Sequence, residues 1–277
     1  MVYDIITYNG EKEILDIRFN VLYPHVDKFI IIEFDETFSG KKKPKYLLED
    51  WSERWSKFLD KIDYVYIGKN EYGKYEDLAE TSPNVPRGGP AHWKQEFCQK
   101  ESIKDALLGL EDEDLVFIGD CDEIWNPEYL KNPPYPCKLK LKVYSYFLDN
   151  RSTEEFWGPI VAHYKDIKDK CLNHLRSMDT SRTTYDFGWH FTSMGGYEDV
   201  KRKLTDSYTE DSYASPQVME NLEKNINSRA DFLGRSFTYK KDKSDWPKYL
   251  KNNRTKYKEL CLAPLLRGIR QNSSFQA

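Results

Sequence analysis

An α/β fold built on a mostly parallel sheet flanked by helices follows from three observations on this chain of 277 residues. Two continuous β-branched and aromatic runs, VDKFIIIEF (Val26 to Phe34) and IDYVYIG (Ile62 to Gly68), have the pattern of strands covered on both faces. A third run, DLVFIGD (Asp114 to Asp120), follows a segment whose Trp93, Phe97, Ile103, Leu107 and Leu110 fall on one helical face. Strands that alternate with helices need crossover connections, and crossovers make sheet neighbours parallel.

The remaining elements are read in chain order. VYDIITY (Val2 to Tyr8) is a short strand, and Glu11 to Leu22 is a helix with Leu15, Phe19 and Leu22 on one stripe. After Pro127 the texture changes. KLKLKVYSYFL (Lys138 to Leu148) opens with strict alternation, the mark of a strand with one wet face. PQVMENLEKNINSRADFL (Pro216 to Leu233) is an amphipathic helix with Val218, Leu222 and Ile226 inward. With no long linker, repeat or low-complexity stretch, the expectation is a single domain over residues 1–277. In it, residues 1–125 form a nucleotide-binding layer, and 126–277 extend the sheet and build a partner site.

Composition narrows the function classes. Hydrophobic residues at 39% and aromatic residues at 15% allow a large core. A net charge of −4 with interspersed signs argues against a general nucleic-acid or membrane-surface binder, though GKKKPK (Gly40 to Lys45) is a local basic cluster. The 5 cysteines, widely spaced and free of CxxC pairs, read as reduced thiols. No window reaches the ~20 apolar residues of a membrane span, and no cationic leader precedes an apolar core. The expectation is a soluble, cytoplasmic protein, in which the sequons at Asn150, Asn253 and Asn272 carry little weight.

The chemistry concentrates in DLVFIGDCDEIWNP (Asp114 to Pro127), where a buried strand runs into Asp120, Asp122 and Glu123. In open α/β sheets the ligand crevice lies at the carboxyl ends of the strands. Residues two apart in extended chain point the same way, so Asp120 and Asp122 can face one ligand. Like charges that close repel unless a cation offsets them. A hard divalent ion completed by substrate phosphate oxygens meets that need, with manganese or magnesium the first expectation. The plain alternative is a pair of solvated turn residues, because a D-x-D pattern alone is common.

Five blocks then carry a resemblance: YNGEKEILDIRFNVL (from Tyr8), VDKFIIIEFDETFSGKKKP (from Val26), HWKQEFCQK (from His92), FIGDCDEI (from Phe117) and GWHFTSMGGYEDVKRKL (from Gly188). In order and approximate spacing the chain resembles glycosyltransferase family 17, whose β-1,4-mannosyl-glycoprotein β-1,4-N-acetylglucosaminyltransferases add a bisecting GlcNAc. The resemblance covers most of Met1 to about Leu204. It implies a GT-A-type fold, a UDP-sugar donor (UDP-GlcNAc first), a glycan acceptor, a divalent metal on the D-x-D motif and transfer with inversion. Two departures, Tyr208 in place of a His and Gly10 in place of an Asn, bear on the acceptor rather than the donor.

Roles follow residue by residue. Asp122 is the expected metal ligand, Asp120 contacts the ribose or the metal, and Glu123 orients them. His190 is the expected additional ligand, since imidazole suits manganese; a core histidine is the alternative. Thr7, Tyr8 and Glu33 end the first two strands and are expected at the base and ribose. Arg18, Lys45 and Arg176 are expected at the diphosphate, because Arg grips phosphate through two parallel bonds, while Lys42 and Lys43 read as solvated. The acceptor's proton needs a carboxylate, and Glu198 leads, followed by Asp199 and then Glu155. Acids in a first helical turn commonly serve the helix dipole alone. Trp157 is either a sugar platform or core. Two other functions fit the acidic pair or the aromatic content: a nucleotidyltransferase or nucleotide-sugar hydrolase, and a carbohydrate-binding protein without catalysis. The absence of a P-loop pattern, together with the GWHF and MGGYEDVKRKL stretches, separates the first reading from these.

Overall fold

The computed structural model describes residues 1–85, 91–129, 136–177, 186–206 and 211–261. Tyr208 and Asn272 lie outside them. The strands are β1 (Val2–Thr7), β2 (Lys28–Phe34), β3 (Ile62–Ile67), β4 (Leu115–Asp120), β5 (Glu123–Trp125), β6 (Cys137–Ser145), β7 (Asn150–His163), β8 (Asp186–Thr192) and β9 (Tyr239–Lys241). They form one sheet in the order β3-β2-β1-β4-β7-β6-β8-β5, with β9 on β7.

The expectation of a mostly parallel sheet is corrected here. The half β3-β2-β1-β4 is parallel throughout, as the alternation of strand and helix requires. Beyond β4 the sheet is mixed: β7 runs antiparallel to β4, β6 and β9, β5 antiparallel to β8, and only β6 and β8 are parallel. The physical reason is the connection. β6 and β7 are joined directly from Ser145 to Asn150, too short for a crossover, so the chain must turn back on itself.

β7 runs through Gly158 and Pro159, which read as strand breakers. Its pairing with β6 shifts register between Lys138 and Lys140, opposite this dipeptide. The missing proline N–H is thus absorbed at a β-irregularity rather than in the regular ladder.

Apolar side chains cover both faces of the parallel half. Leu15, Phe19 and Leu22 of the helix Lys12–Leu22 pack with Phe29, Ile31 and Phe117 on one face. Phe97, Ile103 and Leu107 pack with Ile5, Ile30 and Ile118 on the other. The helical segment read from Trp93 to Leu110 is an α-helix Ala91–Ser102 followed by a 3-10 turn Ile103–Leu107. The helix read from Pro216 ends at Asn227, with Ser215 as its cap: the Ser215 hydroxyl accepts the Val218 N–H at 3.4 Å. No helix among the described residues is long and apolar enough to cross a membrane.

One ion pair sits inside this frame. Arg18 and Asp4 are both 0% exposed and joined by two parallel bonds of 2.7 Å. The remaining Arg18 donors reach the carbonyl oxygens of Asp120 (3.1 Å), Cys121 (3.2 Å) and Glu123 (2.8 Å). The Trp125 indole N–H donates to Asp4 at 2.9 Å. A buried pair with this many hydrogen bonds is tolerated, whereas removing one partner strands the other charge. Arg18→Met should therefore lower the unfolding free energy by about 3–5 kcal/mol in urea denaturation. A loss of UDP affinity at unchanged stability would instead return Arg18 to a diphosphate role.

Candidate active site

The turn after β4 carries the acidic motif. Thr7 and Asp120 are register partners at the ends of β1 and β4, and the Thr7 hydroxyl donates to Asp120 Oδ1 at 2.7 Å. Lys100, only 2% exposed, reaches in from the helix Ala91–Ser102 to form an ion pair with Asp120. Arg176 Nη2 lies 3.6 Å from its other oxygen. Burial alone would raise the Asp120 carboxyl, but Lys100 and Arg176 outweigh it and hold the group well below the usual carboxylate range.

Asp122 is met from the far side of the sheet. Glu123 and His190 are register partners of β5 and β8, and the Phe191 N–H donates to the Asp122 carbonyl at 2.9 Å. His190 Nε2 stands 3.6 Å and Lys203 Nζ 3.3 Å from Asp122 Oδ2. Burial is again opposed, here by Lys203 and His190, and the Asp122 carboxyl is lowered to about 2. Burial would lower His190, but Asp122 reverses that and raises it. Glu123 turns away from solvent, 1% exposed, and accepts the Asp120 N–H at 3.1 Å. Burial, followed by the Asp120 charge, pushes its carboxyl up. Gly119 and Gly158 make room for it: a Cβ on either would stand 2.6 Å and 3.1 Å from Glu123 Oε2.

Except for Lys100, which stands behind Asp120, these groups line a crevice of ≈ 470 Å³ at the carboxyl ends of β1 and β4, within the usual size of a small-molecule site. Thr7, Tyr8, Asp120, Asp122, Arg176 and His190 are brought together there. Tyr8 is 1% exposed, its hydroxyl bonded to Asp50 at 2.8 Å.

Three residues expected at the donor stand elsewhere. Arg18 lies beneath the turn, as described above. Glu33 is buried behind the crevice, where its carboxylate accepts the Tyr46 and Leu47 N–H groups at 2.9 Å and the Tyr64 hydroxyl at 3.0 Å. It therefore caps the helix Tyr46–Asp50. Lys45 is exposed, with its ammonium 4.3 Å from the centre of the Tyr66 ring. Lys43, read as solvated, lines the crevice, bonded to the Tyr8 carbonyl at 3.2 Å and to Asn9 Oδ1 at 3.0 Å. Burial lowers its pKa. Lys42 is exposed and pairs with Asp35 at 2.8 Å.

Glu198 is exposed and lines neither the crevice nor its neighbour. Asp199 faces a second cavity of ≈ 200 Å³ that shares Asn9, Glu11, Asp122, Ser193 and Lys203 with the crevice. Its carboxylate fills the space a side chain at Gly195 would need, and Gly195 has φ +110°. On β7, Phe156 and Glu154 face the crevice, while Glu155 pairs outward with Lys140 and Trp157 lies under the same lysine, 5.2 Å from its ammonium. Phe156 packs on His190 with ring centres 4.1 Å apart.

The sequence reading missed Lys100, Lys203, Glu11 and Trp93. One signal was present for two of them. Trp93, Glu96 and Lys100 recur at helical spacing in HWKQEFCQK, so a charged pair shares a face with a tryptophan. All 5 cysteines are unpaired. Among the described residues, no group of three or more His, Cys, Asp or Glu side chains is gathered to hold a metal ion.

A common carboxyl-end crevice with an acidic turn inside it and cations on its walls is the usual layout of an α/β enzyme site. The family model for glycosyltransferase family 17 matches residues 1–208, and the chain belongs to that family. It is a glycosyltransferase, with a sugar donor and an acceptor as its substrates, which decides against the phosphoryl-transfer and non-catalytic alternatives. A search of curated proteins finds no match.

The β5–β8 pairing that sets His190 beside Asp122 depends on Gly188. A Cβ there would stand 2.7 Å from Trp125 Cα and 3.0 Å from a Leu141 methyl. Gly188→Ala should cost about 1–3 kcal/mol through overpacking, read as a lowered urea midpoint. A midpoint equal to the parent's would show that the two strands part without cost.

Proposed function

We propose that the protein moves a sugar, GlcNAc in the first instance, from a UDP-sugar to a glycan hydroxyl with inversion at the anomeric carbon, on a GT-A-type scaffold. The observation that carries this reading is the acidic turn at the end of β4, where Asp122 and His190 converge within 3.6 Å inside a cation-lined crevice. A carboxylate and an imidazole suit manganese, or magnesium with the carboxylate dominant, when substrate phosphate oxygens complete the shell. Asp122 and His190 would hold the ion, and Asp120 would face the ribose or the ion's outer shell. When bound, the ion supplies positive charge against the departing diphosphate.

The chain's own residues do the rest. Arg176 lines the crevice beside Asp120 and offers two parallel donors to a phosphate. Lys203 lies on Asp122 in this structure, and a ligand at Asp122 releases its ammonium toward the diphosphate. Thr7 and Tyr8 border the same space for the base and ribose. For the acceptor's proton, Asp199 is the better placed of the two acids that open the helix Tyr197–Asp206, because it faces the cavity that adjoins Asp122.

UDP binding measured by calorimetry should require the divalent ion, and Asp122→Asn should weaken it by about tenfold or more, the loss of one charge-assisted contact. His190→Ala should raise the manganese concentration needed for half-saturation. An unchanged metal titration in both variants would refute the assignment.

Asp199→Asn should slow transfer by roughly 10²–10⁴-fold with donor affinity retained, the usual worth of a positioned base. Glu198→Gln should leave the rate near the parent's. The reverse pattern would move the base to Glu198.

A further inference from the structure

The crevice extends past the acidic turn, and its two ends differ in chemistry. Beyond Phe156 and Glu154 its wall is made by Tyr146, Tyr213, Phe232 and Tyr239, with Arg235 among them. The rings form one aromatic set: Tyr146 lies 6.3 Å from Phe232 and 5.9 Å from Tyr239, and Tyr213 lies 6.2 Å from Phe232. Tyr146 has φ +67°, in the left-handed region that a bulky residue seldom adopts, and its hydroxyl accepts the Phe232 N–H at 2.9 Å. A strained residue in the β6–β7 connection thus holds the loop that carries Phe232 and Arg235.

Charge at this end is net negative, one guanidinium against two carboxylates. Arg235 Nε and Nη2 reach Asp231 at 3.1 Å and 2.7 Å, and Nη1 stands 3.5 Å from Glu154. Two carboxylates therefore absorb the guanidinium charge. Toward the crevice, the pair still presents an N–H donor beside a carboxylate acceptor, which matches two neighbouring hydroxyls that each donate and accept. The aromatic rings supply apolar faces with little conformational entropy to lose on binding.

Building on the glycosyl-transfer reading, we propose that this end is the acceptor subsite and that it takes an uncharged pyranose, seated on the rings of Tyr213, Phe232 and Tyr239 with its hydroxyls between Glu154 and Arg235. A carboxylated or sulfated sugar would meet Glu154 and Asp231 with their cation already committed, and is disfavoured. Tyr213, Phe232, Arg235 and Tyr239 all lie beyond residue 208, where the family match ends. Acceptor preference is thereby set by a stretch of chain that membership of the family does not describe.

The test separates this site from the donor site by omitting nucleotide. Saturation-transfer NMR with a neutral mannotriose should show binding to the parent protein, and a trisaccharide bearing one glucuronate should bind less. Tyr213→Ala and Glu154→Gln, both at partly exposed positions, should each weaken mannotriose binding by about tenfold, the worth of a lost contact or charged hydrogen bond. UDP affinity by calorimetry should stay within about twofold of the parent. Phe232→Ala should abolish saccharide binding if it folds. Mannotriose affinity unchanged in Tyr213→Ala and Glu154→Gln, no mannotriose binding at all, or a preference for the glucuronate sugar would each overturn the proposal. A parent that fails to bind UDP while these substitutions still weaken the saccharide would overturn the donor reading and support this one.

Discussion

Arg18 organises the centre of the molecule. Its guanidinium grips Asp4 on β1 and spends its other donors on the carbonyls of Asp120, Cys121 and Glu123. A turn that carries three carboxylates is under electrostatic pressure to open. A buried cation bonded to its backbone holds that turn shut without consuming the Asp120 and Asp122 carboxylates, which line the crevice. The bidentate geometry explains why arginine, and not lysine, occupies the position.

The carboxylates themselves are balanced from three different directions. Lys100 arrives from the helix Ala91–Ser102, Arg176 from the helix Leu172–Ser177 and Lys203 from the helix Tyr197–Asp206. None is near the motif in sequence. With these partners in place the acidic turn is compensated within the chain itself, so no buried charge is left stranded. Glu33 shows the opposite use of a strand-end acid: bonded to two N–H groups and a phenol, it is consumed by a helix start.

Parity along β7 settles which side chains line the crevice. Glu154 and Phe156 face the crevice, and Glu155 and Trp157 the other side. An acid and an aromatic were both legible in TEEFWG, but one residue of register exchanges the crevice-facing pair for the outward one. Local pattern cannot fix that register where Gly158 and Pro159 interrupt the alternation.

What the sequence alone determined was local and periodic: the parallel strands β1 to β4, the helix before β2, the helix before β4 and the acidic turn at the end of β4. Each is written within a dozen residues by hydrophobic period or by a dense charge pattern, and the physical chemistry that reads it acts over the same range. The tertiary structure alone decided that β7 turns back antiparallel onto β4, that Lys43 rather than Lys45 borders the crevice, that Arg18 is a bolt beneath the turn and that Lys100 and Lys203 neutralise the motif. These depend on contacts across separations such as the 81 residues between Asp122 and Lys203. Whether a charged side chain is solvated, capping or in the crevice is fixed by where the fold places its partners, and no local signal carries that information.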